Sequence, residues 1–391
     1  MTDTMHKALL PAGLKDVLPP TAMHEAQTVT RLLDVFGAHG YDRVKPPLIE
    51  FEDALLTGPG AALAGQSFRL MDPVSQRMLA VRPDMTTQVA RIATSRLRRV
   101  PRPLRLCYGG QVLRVAGTQM RPERQFTQAG AELVGSESPA ADAEVAVMAA
   151  EALLNVGVQN LALDLNLPPL AGAVAAELGF DDATGRELRA ALDRKDAAAV
   201  DTLAGDRRQM FRGLLRAQGP AETAVDRLRA LDLPDSVQPD VARLDAVQSR
   251  IREWLPDLTV TVDPCEHRGF EYQTGVSFAL YASGVHGELG RGGRYVANGS
   301  EAAGEPSTGF TLFMDTVMRA LPPAATPERV YLPHGSEATN ARALREAGWV
   351  TVAGLDPAAD PESEARRLGC GHWLRDGRIV PLEIQDDRAG A

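Results

Sequence analysis

Apolar residues near the N-terminus recur at the spacing of a helix. Four of them lie three and four residues apart and so share one helical face: Val29, Leu32, Leu33 and Phe36. This spacing predicts a helix over 23–39, and the glycine that follows suits the left-handed conformation found at many helix ends. About the first twenty residues are rich in proline and glycine, which predicts an extended arm.

Further along, apolar residues alternate with polar ones and predict strands. The pattern has period two over 104–108, and two more strand-like runs, 111–115 and 124–134, flank a polar loop at 117–123. Another strand is predicted over 160–166. Between these strands, Ser138 can cap a helix that extends for about sixteen residues.

Helical spacing returns in the second half of the chain. Residues 170–255 are rich in alanine, arginine and aspartate and predict an all-helical insert. Three strand-like runs follow the insert, at 260–264, 275–282 and 287–295. A last helix is predicted over 311–321, before a proline-rich linker at 321–328. The linker divides the chain into a core over 1–322 and a C-terminal unit over 328–391 with a β-α-β-α-β pattern.

Composition narrows the functional classes. The chain has 391 residues, which at roughly 150 residues per domain corresponds to two or three domains. Hydrophobic residues make up 44% and charged residues 24%, as in soluble globular proteins, and no run reaches the ~20 apolar residues of a membrane span. Three widely spaced cysteines and the lack of a secretory signal predict a cytoplasmic protein. The net charge of −9 argues against a nucleic-acid-binding surface.

Several kinds of site are excluded by the absence of their motifs. The chain contains neither the GxxxxGK[ST] phosphate loop nor the GxGxxG dinucleotide motif. Its seven histidines form neither an HExxH motif nor a paired His/Cys site of the kind that binds zinc. We therefore expect no metal and no cofactor.

Three residues of the strand at 124–134 share one face because side chains alternate along a strand: Gln128, Gly130 and Glu132. This row suits a small ligand with an ammonium group, where Glu132 supplies charge, Gln128 orientation and Gly130 room. The same row also fits a solvent-facing polar surface of an antiparallel sheet, and geometry alone favours this second interpretation.

A second polar cluster lies in HRGFEYQTG, residues 267–275. Arg268 in this segment can hold a carboxylate or a phosphate through two N–H groups. Farther along, GRGGRY at 290–295 offers backbone amides and two arginines. Most glycine-rich turns are only turns, so this second segment is weak evidence by itself.

Together these segments resemble the catalytic core of histidyl-tRNA synthetase, a class II aminoacyl-tRNA synthetase, over about residues 8–322. The matching stretches, in order, are LPAGLKDVLPP, GYDRVKPPLIE, VRPDMTTQVAR, the run 106–135, and HRGFEYQTG with RGGRY. The resemblance implies an α+β fold: a mixed, mostly antiparallel sheet flanked by helices, with a helical insert and a small α/β unit at the C-terminus. It also implies that GYDRVKPPLIE forms the dimer interface.

The resemblance implies roles for individual residues. Four positions surround the amino acid in the family: Asp84, Thr86, Gln128 and Glu132. Asp84 stands in place of the usual glutamate, which keeps the charge but shortens the reach. We expect Glu132 to contact the α-ammonium of a bound histidine, with Gln128 or Arg268 near its carboxylate.

Four more residues match the family's nucleotide and ring contacts. Arg114 stands where the family contacts the α-phosphate of ATP, and Arg268 where it stabilises the adenylation transition state. Tyr272 and Gln273 stand where the family has two aromatic residues, the second of which lines the imidazole pocket. Gln273 can still form a hydrogen bond with a ring nitrogen.

Departures from the synthetase pattern indicate a different function. Ala116 replaces the glutamate that helps to hold adenine. The third motif, Gly-Phe-x-x-Gly-x-Glu-Arg, becomes GFTLFMDT, with Phe313, Asp315 and Thr316 at its last three defined positions. In the synthetase pattern an arginine at the position of Thr316 binds the distal phosphates of ATP. Its replacement by threonine removes part of the stabilisation of the transition state. The C-terminal unit is also little more than half the size of an anticodon-binding domain.

The chain keeps the residues of the amino-acid pocket but lacks several residues that bind ATP. In this it resembles the regulatory subunits of ATP phosphoribosyltransferase. The resemblance implies a non-catalytic chain that joins a short-form catalytic subunit in the first step of histidine biosynthesis. It further implies a homodimeric core within a hetero-oligomer, commonly a hetero-octamer, with free histidine as feedback effector and with neither tRNA nor membrane as a partner.

Two alternatives stay open at this point. The chain could still activate an amino acid, against which Ala116, Phe313 and Thr316 weigh together. It could also be a stand-alone histidine sensor with another partner. The presence of a short ATP phosphoribosyltransferase gene in the same genome would favour the regulatory subunit.

Overall fold

The computed structural model describes residues 9–56, 58–118, 121–267, 272–297, 304–324 and 327–382. The chain divides into two compact units, Met1–Pro322 and Pro323–Ala391. Within the described ranges, no helix has both the length and the apolar character needed to cross a bilayer.

Strands of the first unit form two sheets. They are β1 (Asp42–Arg43), β2 (Ile49–Phe51), β3 (Arg69–Met71), β4 (Met78–Val81), β5 (Leu104–Leu113), β6 (Gln125–Val134), β7 (Leu161–Asn166), β8 (Gly219–Pro220), β9 (Thr259–Asp263), β10 (Ser277–Ala282), β11 (Gly290–Ala297) and β12 (Glu305–Phe313). The larger sheet has the order β1-β5-β6-β12-β11-β10-β7-β9-β8, and the smaller has β2-β4-β3. In the larger sheet only the β1–β5 and β7–β9 pairs of the described strands are parallel. The predicted mixed, mostly antiparallel sheet is confirmed.

Helices of the first unit cover this sheet and form the insert. They are α1 (Thr21–Ala38), α2 (Glu52–Leu55), α3 (Thr86–Thr94), α4 (Pro139–Val156), α5 (Leu170–Glu177), α6 (Asp182–Asp193), α7 (Ala197–Ala204), α8 (Arg208–Arg216), α9 (Ala221–Arg229), α10 (Gln238–Trp254) and α11 (Met314–Ala320). Short 3₁₀ segments lie at Gly58–Gln66, Gly205–Arg207 and Asp235–Val237.

Helix α4 lies at the centre of the main hydrophobic core. Most of its residues are buried, so it is apolar on nearly all sides rather than on one face. It packs against α1 and α10 and against strands of the large sheet. The predicted cap is present, because the Ser138 hydroxyl accepts a hydrogen bond from the Ala140 amide at 3.2 Å.

Two predicted elements need correction. The helix predicted over 311–321 begins only at Met314, because Thr311 to Phe313 complete strand β12, which pairs with both β6 and β11. The insert predicted as all-helical includes strand β8, whose two residues pair with β9 at the edge of the large sheet. In both cases pairing across the sheet overrides the local helical spacing.

The N-terminal arm is attached to the loop between β5 and β6. Residues 9–20 contain neither helix nor strand, as predicted for this part of the arm, while residues 1–8 lie outside the described residues. The Arg124 amide donates to the Gly13 carbonyl at 2.8 Å, and Lys15 forms an ion pair with Glu123 at 3.2 Å. These contacts fix one side of the loop that borders the cavity described below.

The small sheet exposes an apolar surface. Strands β2, β3 and β4 and the residues beside them leave six large apolar side chains accessible: Leu48, Ile49, Leu70, Met71, Val74 and Met78. Met71 and Met78 lie opposite each other on one face of the sheet, whereas Leu70 and Ile49 lie on the other, so exposed apolar side chains occur on both faces.

The second unit has its own four-stranded sheet with the order β14-β13-β15-β16. Its elements are β13 (Arg329–Leu332), α12 (Ala338–Glu346), β14 (Val350–Ala353), α13 (Pro361–Arg367), β15 (His372–Arg375) and β16 (Arg378–Pro381). Strand β13 is parallel to β14 and β15, and β16 returns antiparallel to β15. The final strand β16 was not predicted, since the pattern indicated only three strands.

Candidate functional site

A cavity of about 890 Å³ lies against the large sheet of the first unit. Six of the predicted site residues line it: Asp84, Thr86, Arg114, Glu132, Tyr272 and Gln273. Gln128 does not line the cavity, and Arg268 lies outside the described residues. Segments separated by up to about two hundred residues in sequence therefore meet at one site.

Glu132 is the most enclosed acidic group of the cavity. Gln128 and Glu132 are 0% and 1% exposed, so the interpretation of their row as a solvent-facing surface is wrong. The Tyr295 hydroxyl donates to Glu132 Oε2 at 2.9 Å, and the Tyr108 hydroxyl donates to Oε1 at 3.3 Å. Strands β5 and β11 supply these two tyrosines on either side of the β6–β12 pair.

The protonation of Glu132 is unusual. Burial away from water raises its pKa to about 8, and hydrogen bonds from the Thr86 and Tyr295 hydroxyls oppose this rise only in part. The negative charge of Asp84 raises the pKa of Glu132 further. At neutral pH the Glu132 side chain is therefore mostly in its uncharged carboxylic-acid form. In this form it can both donate and accept a hydrogen bond.

Asp84 is held in a fixed orientation at the cavity wall. Its Oδ1 accepts from the Thr86 amide at 2.9 Å, at the start of α3, and its Oδ2 accepts from Gln128 Nε2 at 2.8 Å. The side-chain oxygen of Gln128, Oε1, in turn accepts a hydrogen bond from the Met85 backbone amide at 3.1 Å. Gln128 therefore positions Asp84 and has no polar atom directed at a ligand.

The glycine in this row has a different use from the one expected. A side chain at Gly130 would lie 2.6 Å from the Tyr108 hydroxyl and 2.3 Å from the Phe310 carbonyl, so the missing side chain makes room for the tyrosine. Gly309 lies directly opposite Glu132 in the neighbouring strand β12. A side chain at Gly309 would lie 1.8 Å from Glu132 Oε2 and would collide with it. Both glycines thus accommodate the polar groups of the site rather than the ligand.

Gln273 has an unused hydrogen-bonding group. Its side chain is 8% exposed and borders the cavity, and among the described residues no donor contacts its buried Oε1. A buried acceptor without a partner costs about 1–3 kcal/mol, unless a ligand supplies the donor. Beside it, the rings of Tyr272 and Tyr295 pack edge to face with their centres 6.2 Å apart.

The opposite side of the cavity carries an internal ion pair. Arg121, from the loop between β5 and β6, donates to Asp315 Oδ2 at 2.9 Å and lies 3.8 Å over the ring of Phe313. It also donates to the Thr316 hydroxyl at 3.5 Å. The three altered positions of the third motif therefore all contact one arginine, whose charge is already neutralised by a buried carboxylate.

Comparisons with known proteins agree with this geometry. A family model described as histidyl-tRNA synthetase matches residues 13–317. The ATP phosphoribosyltransferase regulatory subunit of Rhodospirillum centenum is 55% identical over 379 residues, which cover 97% of each chain. This chain belongs to the family of ATP phosphoribosyltransferase regulatory subunits. As a member of it, the chain is a non-catalytic subunit, in agreement with the prediction from the altered third motif.

Solved structures show that regulatory subunits and synthetases share this fold. A Bacillus halodurans protein described as an ATP phosphoribosyltransferase regulatory subunit/histidyl-tRNA synthetase superposes with a TM-score of 0.80 at 23% identity, covering 92% of this chain and 96% of that one. The ATP phosphoribosyl transferase (HisG:HisZ) complex from Thermotoga maritima contains a chain that superposes with a TM-score of 0.59 at 18% identity. The match covers 74% of this chain and 97% of that one. The predicted class II synthetase-like fold is confirmed.

Three residues of the site were not singled out from the sequence. Tyr108 faces Gly130 across the β5–β6 pair, and a tyrosine opposite a glycine on a polar row was the available signal. Tyr295 ends the predicted strand-like run at 287–295, which is strand β11, but the glycine-rich segment before it was regarded as weak evidence for a site. Arg121 lies in a loop, so no periodicity could assign it to the cavity.

Proposed function

We propose that this regulatory subunit joins a short-form ATP phosphoribosyltransferase and that free histidine, bound in the cavity, is its feedback effector. The observation that carries the proposal is the contrast between the two sides of the cavity. One side keeps two carboxyl groups and the buried Oε1 of Gln273, to which no described residue donates, whereas the other replaces the nucleotide contacts with the ion pair of Arg121 and Asp315.

The groups on the retained side match the chemistry of histidine. Asp84 accepts from two fixed donors and faces the cavity, which suits the α-ammonium group. Glu132 holds a proton near neutral pH and, together with the unpartnered oxygen of Gln273, suits the two nitrogens of an imidazole. We therefore propose Asp84 for the ammonium in place of Glu132, which the sequence had favoured, and Glu132 for the ring. Tyr272 and Thr86 complete the walls of this half.

The apolar surface of the small sheet supports a homodimer. It includes Ile49, which belongs to the GYDRVKPPLIE segment, together with neighbours on β3 and β4. Exposed apolar side chains clustered around one small sheet are typical of a subunit interface. We propose a dimeric core at this sheet, within a hetero-oligomer of four regulatory and four catalytic subunits. The three buried free thiols fit a reducing, cytoplasmic location.

Co-expression with the short transferase of the same organism tests the proposal. We expect the two chains to purify together, the transferase to require this chain for activity, and histidine to inhibit the complex. We also expect light scattering to give at least a dimer for the isolated chain. A strictly monomeric chain that does not bind the transferase would contradict the proposal.

We expect the isolated chain to form no histidyl-adenylate. Ala116 offers no carboxylate for adenine, and the two arginines that donate to the Thr316 hydroxyl, Arg121 and Arg319, are paired with Asp315 and Glu123. Because the distal phosphates would have to compete with these carboxylates, a large part of the electrostatic stabilisation of the transition state is missing. Histidine-dependent exchange between ATP and pyrophosphate should stay at background, and exchange well above it would restore the amino-acid-activating alternative.

A further inference from the structure

One segment of the first unit leads directly into the wall of the cavity. It covers residues 263–267, from the last residue of β9 onward. Tyr272 and Gln273, which line the cavity, follow shortly after it. The Thr274 amide donates to the Arg294 carbonyl at 2.8 Å, which fixes the far end of this stretch to strand β11. The position of the cavity wall therefore also depends on what holds the near end.

The helical insert holds the near end through two side chains. Asp193 is the last residue of α6, and Lys195 lies in the turn between α6 and α7. Lys195 Nζ lies 2.7 Å from Asp263 Oδ1 and 2.5 Å from its Oδ2. The Asp193 carboxylate accepts a hydrogen bond from the His267 amide at 3.1 Å. The segment is thus attached to the insert at its first and its last residue.

The backbone of Lys195 has a conformation that is unusual for a lysine. Its φ is 57°, in the left-handed region that glycine adopts most readily. Its amide donates to the Leu192 carbonyl at 3.0 Å, and the Asp196 amide donates to the Ala191 carbonyl at 2.9 Å. These two bonds form a Schellman motif, in which glycine is the usual residue at this position. The turn itself therefore does not account for a lysine here, whereas the ion pair with Asp263 does.

Lys195 meets a group of carboxylates at the ends of β7 and β9. Asn166 Nδ2 donates to Asp164 Oδ2 at 2.9 Å and to Glu266 Oε2 at 3.2 Å. Asp263 pairs directly with Asn166 across the two strands. One asparagine therefore holds two carboxyl groups together beside the carboxylate that Lys195 contacts.

This acidic group lies on the same face of the large sheet as Glu132. Directly paired residues of neighbouring strands point to the same face. Paired positions lead from Asp263 to Glu132 through Asn166, Ser277, Gly293 and Gly309. The contact with the insert is therefore on the cavity side of the sheet.

The charge of Lys195 balances part of the negative charge at this point. The pKa of Glu266 is raised to about 7, mainly by burial away from water. The carboxylates that face it from β7, from β9 and from the residues before β11 also raise this pKa: Asp164, Asp263 and Glu288. The positive charge of Lys195 lowers it. As the pH rises through this value Glu266 ionises, and repulsion among the carboxylates makes the segment depend more strongly on Lys195.

We propose that Lys195 is a positioning residue for the histidine site, because it holds segment 263–267 and, through it, the wall formed by Tyr272 and Gln273. The helical insert then sets the affinity for the ligand, although none of the described cavity-lining residues belongs to it. This inference rests on the proposed histidine site, and the test below separates the two.

Calorimetry on the full chain at pH 6 and pH 8.5 measures histidine binding by wild type and Lys195 variants. Relative to wild type at the same pH, we expect Lys195→Met to bind about tenfold more weakly at pH 8.5 and less than about threefold more weakly at pH 6. Lys195→Gly should show the same loss, and because glycine suits the left-handed turn, this loss is not a folding defect. Lys195→Arg, which keeps the charge, should bind within about threefold of wild type.

A compensating substitution tests the electrostatic reason. Glu266→Gln removes a negative charge but keeps an oxygen that can accept from Asn166. Combined with Lys195→Met, it should restore histidine binding at pH 8.5 to within about threefold of wild type. Arg194→Gln, at an exposed position in the same turn, is the matched control and should bind histidine as wild type does.

The outcomes distinguish the two proposals. If Lys195→Met and Lys195→Gly bind histidine as tightly as wild type at both pH values, the role of Lys195 is refuted while the histidine site stands. The same conclusion follows if the loss is equal at both pH values and Glu266→Gln does not restore binding. If the wild-type chain binds no histidine, both proposals fail.

Discussion

Replacing Glu132 with alanine is expected to abolish histidine binding at millimolar concentrations and, with it, feedback inhibition of the transferase complex. Glu132 accepts hydrogen bonds from two tyrosine hydroxyls and is 1% exposed. Loss of one partner from an enclosed, hydrogen-bonded pair costs about 2–5 kcal/mol, or roughly 30- to 4,000-fold in affinity. Calorimetry measures this loss directly, and the transferase assay measures its consequence.

Complex formation should be unaffected by the same substitution. Glu132 is buried inside the first unit, so its substitution leaves the surface of the protein unchanged and co-purification with the transferase should persist. Glu137→Ala, which removes an exposed carboxylate just beyond the same strand, is the matched control and should retain histidine binding. Equal histidine affinity in wild type and Glu132→Ala would place the sensing site elsewhere.

Replacing Glu132 with glutamine is expected to stabilise the empty protein, and more strongly at higher pH. The carboxyl group titrates with a pKa near 4.5 when unfolded and about 8 in the folded chain. Between these values the unfolded chain releases a proton that the folded chain retains, so the free energy of unfolding falls as pH rises through this window. Glutamine does not titrate and can keep the hydrogen bonds of the tyrosines. The gain should therefore be near zero at pH 4.5 and on the order of 4 kcal/mol above pH 8.

Denaturant unfolding of both proteins at several pH values between 5 and 9 measures this difference. The gain refers to the ligand-free state, so histidine must be absent from the buffers. Glu137→Ala, which removes an exposed carboxylate, is the surface control in the same measurements. A gain that is constant across the range would mean that Glu132 is already ionised in the folded protein, contrary to the raised pKa.

Together, these two expectations mean that Glu132 strengthens ligand binding while it lowers the free energy of unfolding of the ligand-free protein. Buried acids with raised pKa values are common in binding sites, where a ligand can use them. The buried Oε1 of Gln273 is consistent with this, because no described residue donates a hydrogen bond to it. The Arg121–Asp315 pair is the opposite case, because it is complete without any ligand.

Local patterns in the sequence were sufficient for most elements of the fold. The spacing of apolar residues predicted α1, the cap at Ser138 predicted the start of α4, and alternation predicted β5 and β6. Such signals depend on neighbours within a few residues, which the sequence displays directly. Strand β8 and the last residues of β12 depend on pairing with strands that are distant in sequence, and they were missed or misassigned. Strand β16 was also missed, although it pairs with the preceding strand β15.

The sequence by itself determined the family, the fold class and six of the residues that line the cavity, because motifs show which residue types a site needs and in what order. The tertiary structure alone decided what each residue does. In the folded chain Gln128 donates a hydrogen bond to Asp84, and the missing side chain of Gly130 leaves room for Tyr108. Burial of Glu132 raises its pKa. Burial, hydrogen-bond partners and local charge are properties of segments brought together from distant parts of the chain, and no spacing along the sequence encodes them.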